Sequence, residues 1–417
     1  MNTGDTAWVL GSAALVLFMT PGLALFYGGM VRAKNVLAIM MQSFMCIGLV
    51  SVIWAVVAFS LAFGPDAGGG LIGNLGLSGL RHMTQPLPGL GGLGVSPLAV
   101  MIFQMMFAII TAALITGGTA DRLKFSGFIV FITAWTLLVY APMAHWVFSP
   151  QGWLAQRGVL DFAGGTVVEI NSGFSTLAVV LVLGRRRGWP HDPMPPHSVP
   201  LSLLGAGILW FGWFGFNAGS ALGANHVAVQ AFVNTQLGAA AGLLAWLVVE
   251  KVRGGYATTL GAASGAIAGM VAVTPAAGFV GSMPSLAIGA AAGLACALAI
   301  RAKNRFRYDD SLDVLGVHGV GGIVGMVLVG LFATTSVNAA GHNGLFSSHG
   351  SAHLLGEQVL AVVVCVAYSF GASWLLAKGV HKSIGLRVSE EDEFMGLDTS
   401  QHAESAYSLD VSGRAGR

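Results

Sequence analysis

The sequence is short of charge. Asp, Glu, Lys and Arg together supply 9% of its 417 residues, where a soluble globular chain carries roughly a quarter. So few ionic groups cannot cover a water-soluble surface of this size, which excludes an ordinary soluble enzyme or binding domain and requires lipid as the second solvent. Cysteine is scarce as well. Cys46, Cys296 and Cys365 are odd in number, show no C-x-x-C spacing and sit inside apolar runs, so they read as small buried hydrophobes rather than as a disulfide framework or thiolate site. No Lys or Arg precedes the first apolar run, and that run is too long for the core of a cleavable signal, so it reads as a true span. The core carries no nucleophile-and-base arrangement, metal-ligand cluster or phosphate loop, which argues against a membrane enzyme and against any cofactor or metal.

What is present is apolar and glycine-rich: 55% hydrophobic residues and 60 glycines. Eleven segments are long enough to cross a bilayer, near 7–31, 36–63, 97–118, 126–147, 162–184, 199–221, 226–249, 257–277, 280–300, 312–334 and 354–380. Each span needs roughly 20 residues. The runs are continuous rather than alternating, which predicts helices and not a strand barrel. The expected fold is an all-α polytopic membrane protein. Residues 1–380 form its transmembrane domain, and an acidic cytoplasmic tail, 381–417, carries Glu390, Glu391, Asp392 and Glu393 in a row.

The net charge of +2 is uninformative, but its placement is not. With the N-terminus outside, eighteen of the twenty Lys and Arg fall in cytoplasmic loops or the tail, Arg414 and Arg417 among them, and only Arg81 and Arg157 fall outside. Positive charge gathers on the cytoplasmic side, so this split sets the N-terminus out and the C-terminus in and supports the odd count; the expected location is the cytoplasmic (inner) membrane. Gly261, Gly265 and Gly269, with the pairs Gly238/Gly242 and Gly289/Gly293, give small-residue faces suited to close packing within one subunit.

Charged side chains inside spans are costly, and each is a site candidate. Glu169 is the one acid well inside a span, whereas Asp161, Asp313 and Glu357 lie near helix starts, where a carboxylate can cap free N–H groups. His318 lies inside the tenth segment. Glu169 is eight residues past Asp161 and His318 eight past Asp310, so each is ~12 Å deep from an opposite face and the two can meet near the midplane. Five spans invert the chain, so segments one to five and six to ten predict an inverted repeat, an arrangement that sets substrate sites between halves. A second constellation is aromatic: Phe107, Phe148 and Phe216, with Ser220. It suits either cation binding and pore closure or plain packing.

These residues sit in recognisable motifs. DFAGGTVVEINSG at 161–173 resembles the signature of the ammonium transporter (Amt/Mep/Rh) family, as do ALFYGGMVRAKN at 24–35, FQMMF at 103–107, GWFGFNAGS at 212–220, SGAIAGMVAVTPAAG at 264–278 and DVLGVHGVGGIVG at 313–325. The tail, GLRVSEEDEFMGLD at 385–398, is similar to that of the bacterial Amt branch. The resemblance implies a homotrimer with one pore per subunit, carrying ammonium or ammonia, and possible docking of a PII-type signalling protein on the tail. It implies an outer recruitment site at Phe148, Ser220 and Phe107, a stacked gate of Phe107 and Phe216, and pore-lining or supporting roles for Asp161, Trp213 and Thr274. Methylammonium is an expected analogue, and an ammonium sensor with little flux is the rival role.

Two positions depart from the family pattern. The family has a pair of pore histidines; His318 matches the second, but Glu169 stands at the first, as in a fungal subset. The outer aromatic is usually Trp and is Phe148 here, with Trp146 two residues earlier as a candidate to compensate.

Overall fold

Continuous apolar runs fold as helices because hydrocarbon offers the backbone no hydrogen-bond partner, so every N–H and C=O must be satisfied within its own segment. The computed structural model describes residues 1–407; Arg414 and Arg417 lie outside the described residues. The membrane body consists of α1 (Thr3–Met30), α2 (Ala33–Phe63), α3 (Pro97–Thr119), α4 (Phe125–Gln156, broken after Phe148), α5 (Gly165–Leu183), α6 (Val199–Gly219), α7 (His226–Gly254), α8 (Thr259–Val273), α9 (Ser282–Phe306), α10 (Leu315–Phe332) and α11 (Ala352–Ser383). Two short tail helices follow, α12 (Glu390–Met395) and α13 (Leu397–His402). Among the described residues, pairing of extended backbone is limited to two isolated bridges.

Ten of the eleven body helices are long and apolar enough to cross a membrane. The exception is α8, with 15 residues. It stops short of the expected 257–277 because Pro275 cannot continue a helix. The chain finishes the crossing as a buried turn, in which Phe162 N–H bonds to Pro275 C=O at 3.1 Å. Large apolar side chains such as Phe44, Val56, Leu138, Phe211 and Leu244 remain on the outside of the bundle, as a lipid-facing surface requires.

The helices that open and close the two halves pack antiparallel. α1 and α6 open the halves and cross head to tail, with Ser12 against Gly215 and Gly219, Met19 against Gly212, and Ser202 against Gly29. α5 and α10 close the halves and cross the same way, with Gly173 on Gly319 and Gly322 on Gly165. Residues 2–5, 64–97 and 220–226 share one face, tied by Asn2 N–H to Gly94 C=O at 2.7 Å and Ala224 N–H to Asp5 Oδ1 at 2.8 Å. The tail lies on the opposite face.

The glycine pairs join helices within the chain. A side chain on Gly242 would meet the Gly265 carbonyl at 2.5 Å and Gly269 Cα at 2.7 Å, and one on Gly289 would meet the Gly238 carbonyl at 2.2 Å. Backbone, which cannot yield, fills these spaces. Gly242→Leu is therefore expected to cost about 1–3 kcal/mol through overpacking. Its melting temperature in detergent should fall clearly below that of Gly48→Leu, whose added side chain meets nothing within 4 Å; equal melting of the two would contradict this packing.

Candidate functional site

Asp161 starts the site. Its carboxylate accepts hydrogen bonds from the backbone N–H of Gly164 (2.8 Å), Gly165 (2.6 Å) and Thr166 (2.8 Å), and from the Thr166 hydroxyl (2.5 Å). These are N–H groups that a helix start leaves free, and a buried acid meets several of them at once. Gly164 turns the chain at φ 115°, a conformation that glycine adopts without strain. The first turn of α5, Gly165–Ile170, is then a wide π turn that carries Glu169.

The second half repeats this build. Asp310 accepts from Leu315 N–H at 2.8 Å, and Leu315–Gly319 forms a second π turn that carries His318. Such turns are rare and concentrate at functional sites. With α5 and α10 touching through glycine, Glu169 Oε2 and His318 Nδ1 come to 2.7 Å, both buried. Glu169 Oε1 has no hydrogen-bond partner. A contact this short between a carboxyl oxygen and an imidazole nitrogen is a hydrogen bond with a proton between the two atoms.

Two small cavities and a stacked ring pair flank this contact. Phe107 on α3 and Phe216 on α6 stack with ring centroids 4.2 Å apart and an interplanar angle of 24°, and both rings are fully buried. Beneath them lies a narrow cavity of about 10 Å³ lined by Phe216, Trp213, Glu169 and His318 among apolar residues. A second small cavity of about 20 Å³ lies toward the tail face, lined by His318, Tyr27, Ser264, Trp246 and Asp313. His318 borders both. Trp213 is fixed by Nε1–H donating to the Thr274 hydroxyl at 2.9 Å, and Thr274 in turn lies 3.2 Å from Asn217 Oδ1.

On the other side of the stack, Phe148 meets Phe107 edge-on at 6.4 Å. The Ser220 hydroxyl donates to the Phe216 carbonyl at 2.9 Å, which leaves its oxygen lone pairs free to accept. Trp146 does not substitute for the missing outer Trp. Its indole N–H donates to Leu71 C=O at 2.7 Å and its ring packs on Tyr368 at 4.6 Å. Two residues along a helix differ by about 200° in direction, so Trp146 faces away from Phe148.

Two expected caps are ion pairs instead. Asp313 pairs with Lys303 at 2.6 Å, and Glu357 takes both Arg157 donors at 2.7 and 2.8 Å, while Ser351 caps α11. The acid that caps α10, Asp310, was marked in the sequence only by its eight-residue spacing to His318. On the tail face a buried network closes the inner ends of the pore helices. Arg122 donates to Gly184 C=O (2.9 Å), Asp309 C=O (2.6 Å) and the Ser311 hydroxyl (2.8 Å), and burial pushes its guanidinium down to about 10. Burial pushes the Asp309 carboxyl up, but Arg186 and Arg122 outweigh it and hold the group below the usual carboxylate range.

The sequence model of the Ammonium Transporter Family matches residues 7–407. An ammonium transporter of Mycobacterium bovis is 47% identical, covering 98% of this chain and 91% of its own length. The crystal structure of Saccharomyces cerevisiae Mep2 superposes with a TM-score of 0.87 at 35% identity, over 94% of this chain and 91% of that one. A structure described as a sensor Amt protein gives 0.87 at 30% identity, over 96% and 98%.

Because Asp161 satisfies four donors, Asp161→Ala is expected to cost about 2–4 kcal/mol, a lost cap plus stranded N–H groups. Asp161→Asn, which keeps one acceptor oxygen, should lose about half of that. Melting curves in detergent check the order, with Ser96→Ala as reference, since Ser96 caps α3 through one 3.3 Å bond. A drop for Asp161→Ala no larger than for Ser96→Ala contradicts the assignment.

Proposed function

The chain belongs to the ammonium transporter family, and we propose that it carries ammonium across the cytoplasmic membrane by moving ammonia and its proton separately. The observation that carries this reading is the Glu169–His318 contact of 2.7 Å, set between two cavities and beneath a closed pair of phenylalanines.

Ammonium and potassium are of similar size, so pore radius discriminates poorly between them. Ammonium donates hydrogen bonds and can lose a proton; potassium does neither. In this reading ammonium is recruited where the Phe148 and Phe107 rings offer a cation–π face and Ser220 an acceptor oxygen. Phe attracts a cation less strongly than Trp, so recruitment is weaker than with the usual outer aromatic. The Phe107–Phe216 gate and the apolar cavity below it penalise the charged form by desolvation. Neutral ammonia passes, and the proton travels through the Glu169–His318 relay, where buried titratable groups are its natural carriers.

The N-terminus faces out and the tail in, supported by eighteen Lys and Arg against two across the two faces. A homotrimer with one pore per subunit and a PII-type partner at the inner face come with the family resemblance. A regulatory role for the tail draws support from its contacts: Asp398 accepts from Ala38 N–H at 2.8 Å at the start of α2, and Arg387 donates to Leu183 C=O at 2.9 Å at the end of α5, the helix that carries Glu169.

Glu169→Gln keeps the shape of the side chain and removes its exchangeable proton. Ammonium-evoked current in proteoliposomes is expected to fall at least tenfold, and Glu169→His to shift the pH profile of that current. An unchanged current and profile in both would sink the relay. Uptake of labelled methylammonium by cells separates transport from the rival sensor role, which predicts little flux.

A further inference from the structure

The tail-side cavity, about 20 Å³ and so room for a single water, is lined by both His318 and Asp313. Three acids crowd the turn before α10, and two of them are committed to structure. Asp309 holds Arg186 through contacts of 2.8 to 3.2 Å, and Asp310 caps Leu315. Asp313 is placed differently. Its backbone sits at φ 63°, a left-handed conformation that Asp tolerates better than most residues but that a helix start does not need. Among the described residues its carboxylate is the only one lining this cavity, and its side chain is 23% exposed. Its partner is Lys303 at 2.6 Å, itself 18% exposed.

A partly exposed acid that lines the same cavity as the imidazole has the position a relay needs at its exit. We propose that Asp313 is the proton acceptor on the inner side of the transport path, with Lys303 as the counter-ion that an arriving proton displaces. This rests on the Glu169–His318 relay reading. The His318 imidazolium releases its proton to water in the cavity, and that proton passes to the Asp313 carboxylate, giving the neutral acid. The neutral acid no longer holds Lys303. It then gives the proton to cytosolic water, and the carboxylate pairs with Lys303 again. One proton moves from His318 to the cytosol, no electrons move, and Lys303 stays protonated throughout. The positive charge of Lys303 opposes the arriving proton and so slows the step.

The test uses the full chain in proteoliposomes, with ammonium jumps that evoke a current and a luminal pH dye that reports entry of neutral ammonia. Asp313→Asn is expected to lower the current at least fivefold while ammonia entry continues, and Asp313→Glu to restore at least half of it. Lys303→Gln is expected to raise the current about twofold, because the amide no longer competes with the proton. A full current in Asp313→Asn overturns the proposal. So does an equal fall in Asp313→Asn and Lys303→Gln with matching losses of melting temperature, which would make the pair a brace. Should Asp313→Asn not survive purification, Lys303→Gln decides alone, and a fivefold fall there overturns the proposal. Glu169→Gln runs in parallel: if it loses the current while Asp313→Asn keeps it, only this inference fails, and if both keep it, the relay fails as well.

Discussion

An ionisable acid and an imidazole share a 2.7 Å contact deep in the bundle, where no water shell can stabilise either alone. Removing one partner from such a pair strands the other and typically costs about 3–5 kcal/mol, so the surrounding structure is committed to keeping them together. Glycine at 173, 319 and 322 lets α5 and α10 approach until backbones touch. A π turn on each helix rotates the side chains toward one another, and an acid at each helix start holds that turn in place. The contact is therefore the joint product of both halves, and neither half alone contains it.

The two ends of the path are built from different materials. On the side of the N-terminal face the central pair is covered by the stacked rings of Phe107 and Phe216. The tail face is tied together by arginines and aspartates, with Arg122 fully buried and satisfied by three carbonyls and a serine hydroxyl. Tail residues join this frame directly, as Glu393 takes the Arg387 guanidinium at 2.6 Å and the Arg187 N–H at 2.6 Å. Tail contacts thus reach the start of α2 and the end of α5, the second of which carries half of the central pair.

Much of this was legible in the sequence because hydrocarbon is an unforgiving solvent. Low charge and continuous apolar runs leave helices as the only spanning solution for a chain of this pattern, and ten of eleven spans follow within a few residues. Glu169 and His318 stood out because an ionisable residue in a span is rare and costly. Other features depended on direction, which spacing does not supply. Trp146 looked able to replace a missing outer aromatic, but the loop carbonyl of Leu71 and the ring of Tyr368 hold it elsewhere. Asp313 and Glu357 looked like caps, but a cation within reach of each takes the carboxylate. The end of α8 was misjudged because the apolar run continues past Pro275 although the helix does not.

The sequence by itself determined that this chain is a helical membrane protein of two inverted halves with an acid and a histidine at matching depth, since hydropathy, charge placement and spacing are properties of the chain alone. Only the tertiary structure decided that the two residues touch, that Phe107 and Phe216 close over them, and that Asp313 and not Asp310 reaches the inner cavity. Each of these turns on rotations about helix axes and on ångström-scale approach between helices far apart in the chain. Those are fixed by packing glycine against backbone and carboxylate against cation, and no single segment encodes them.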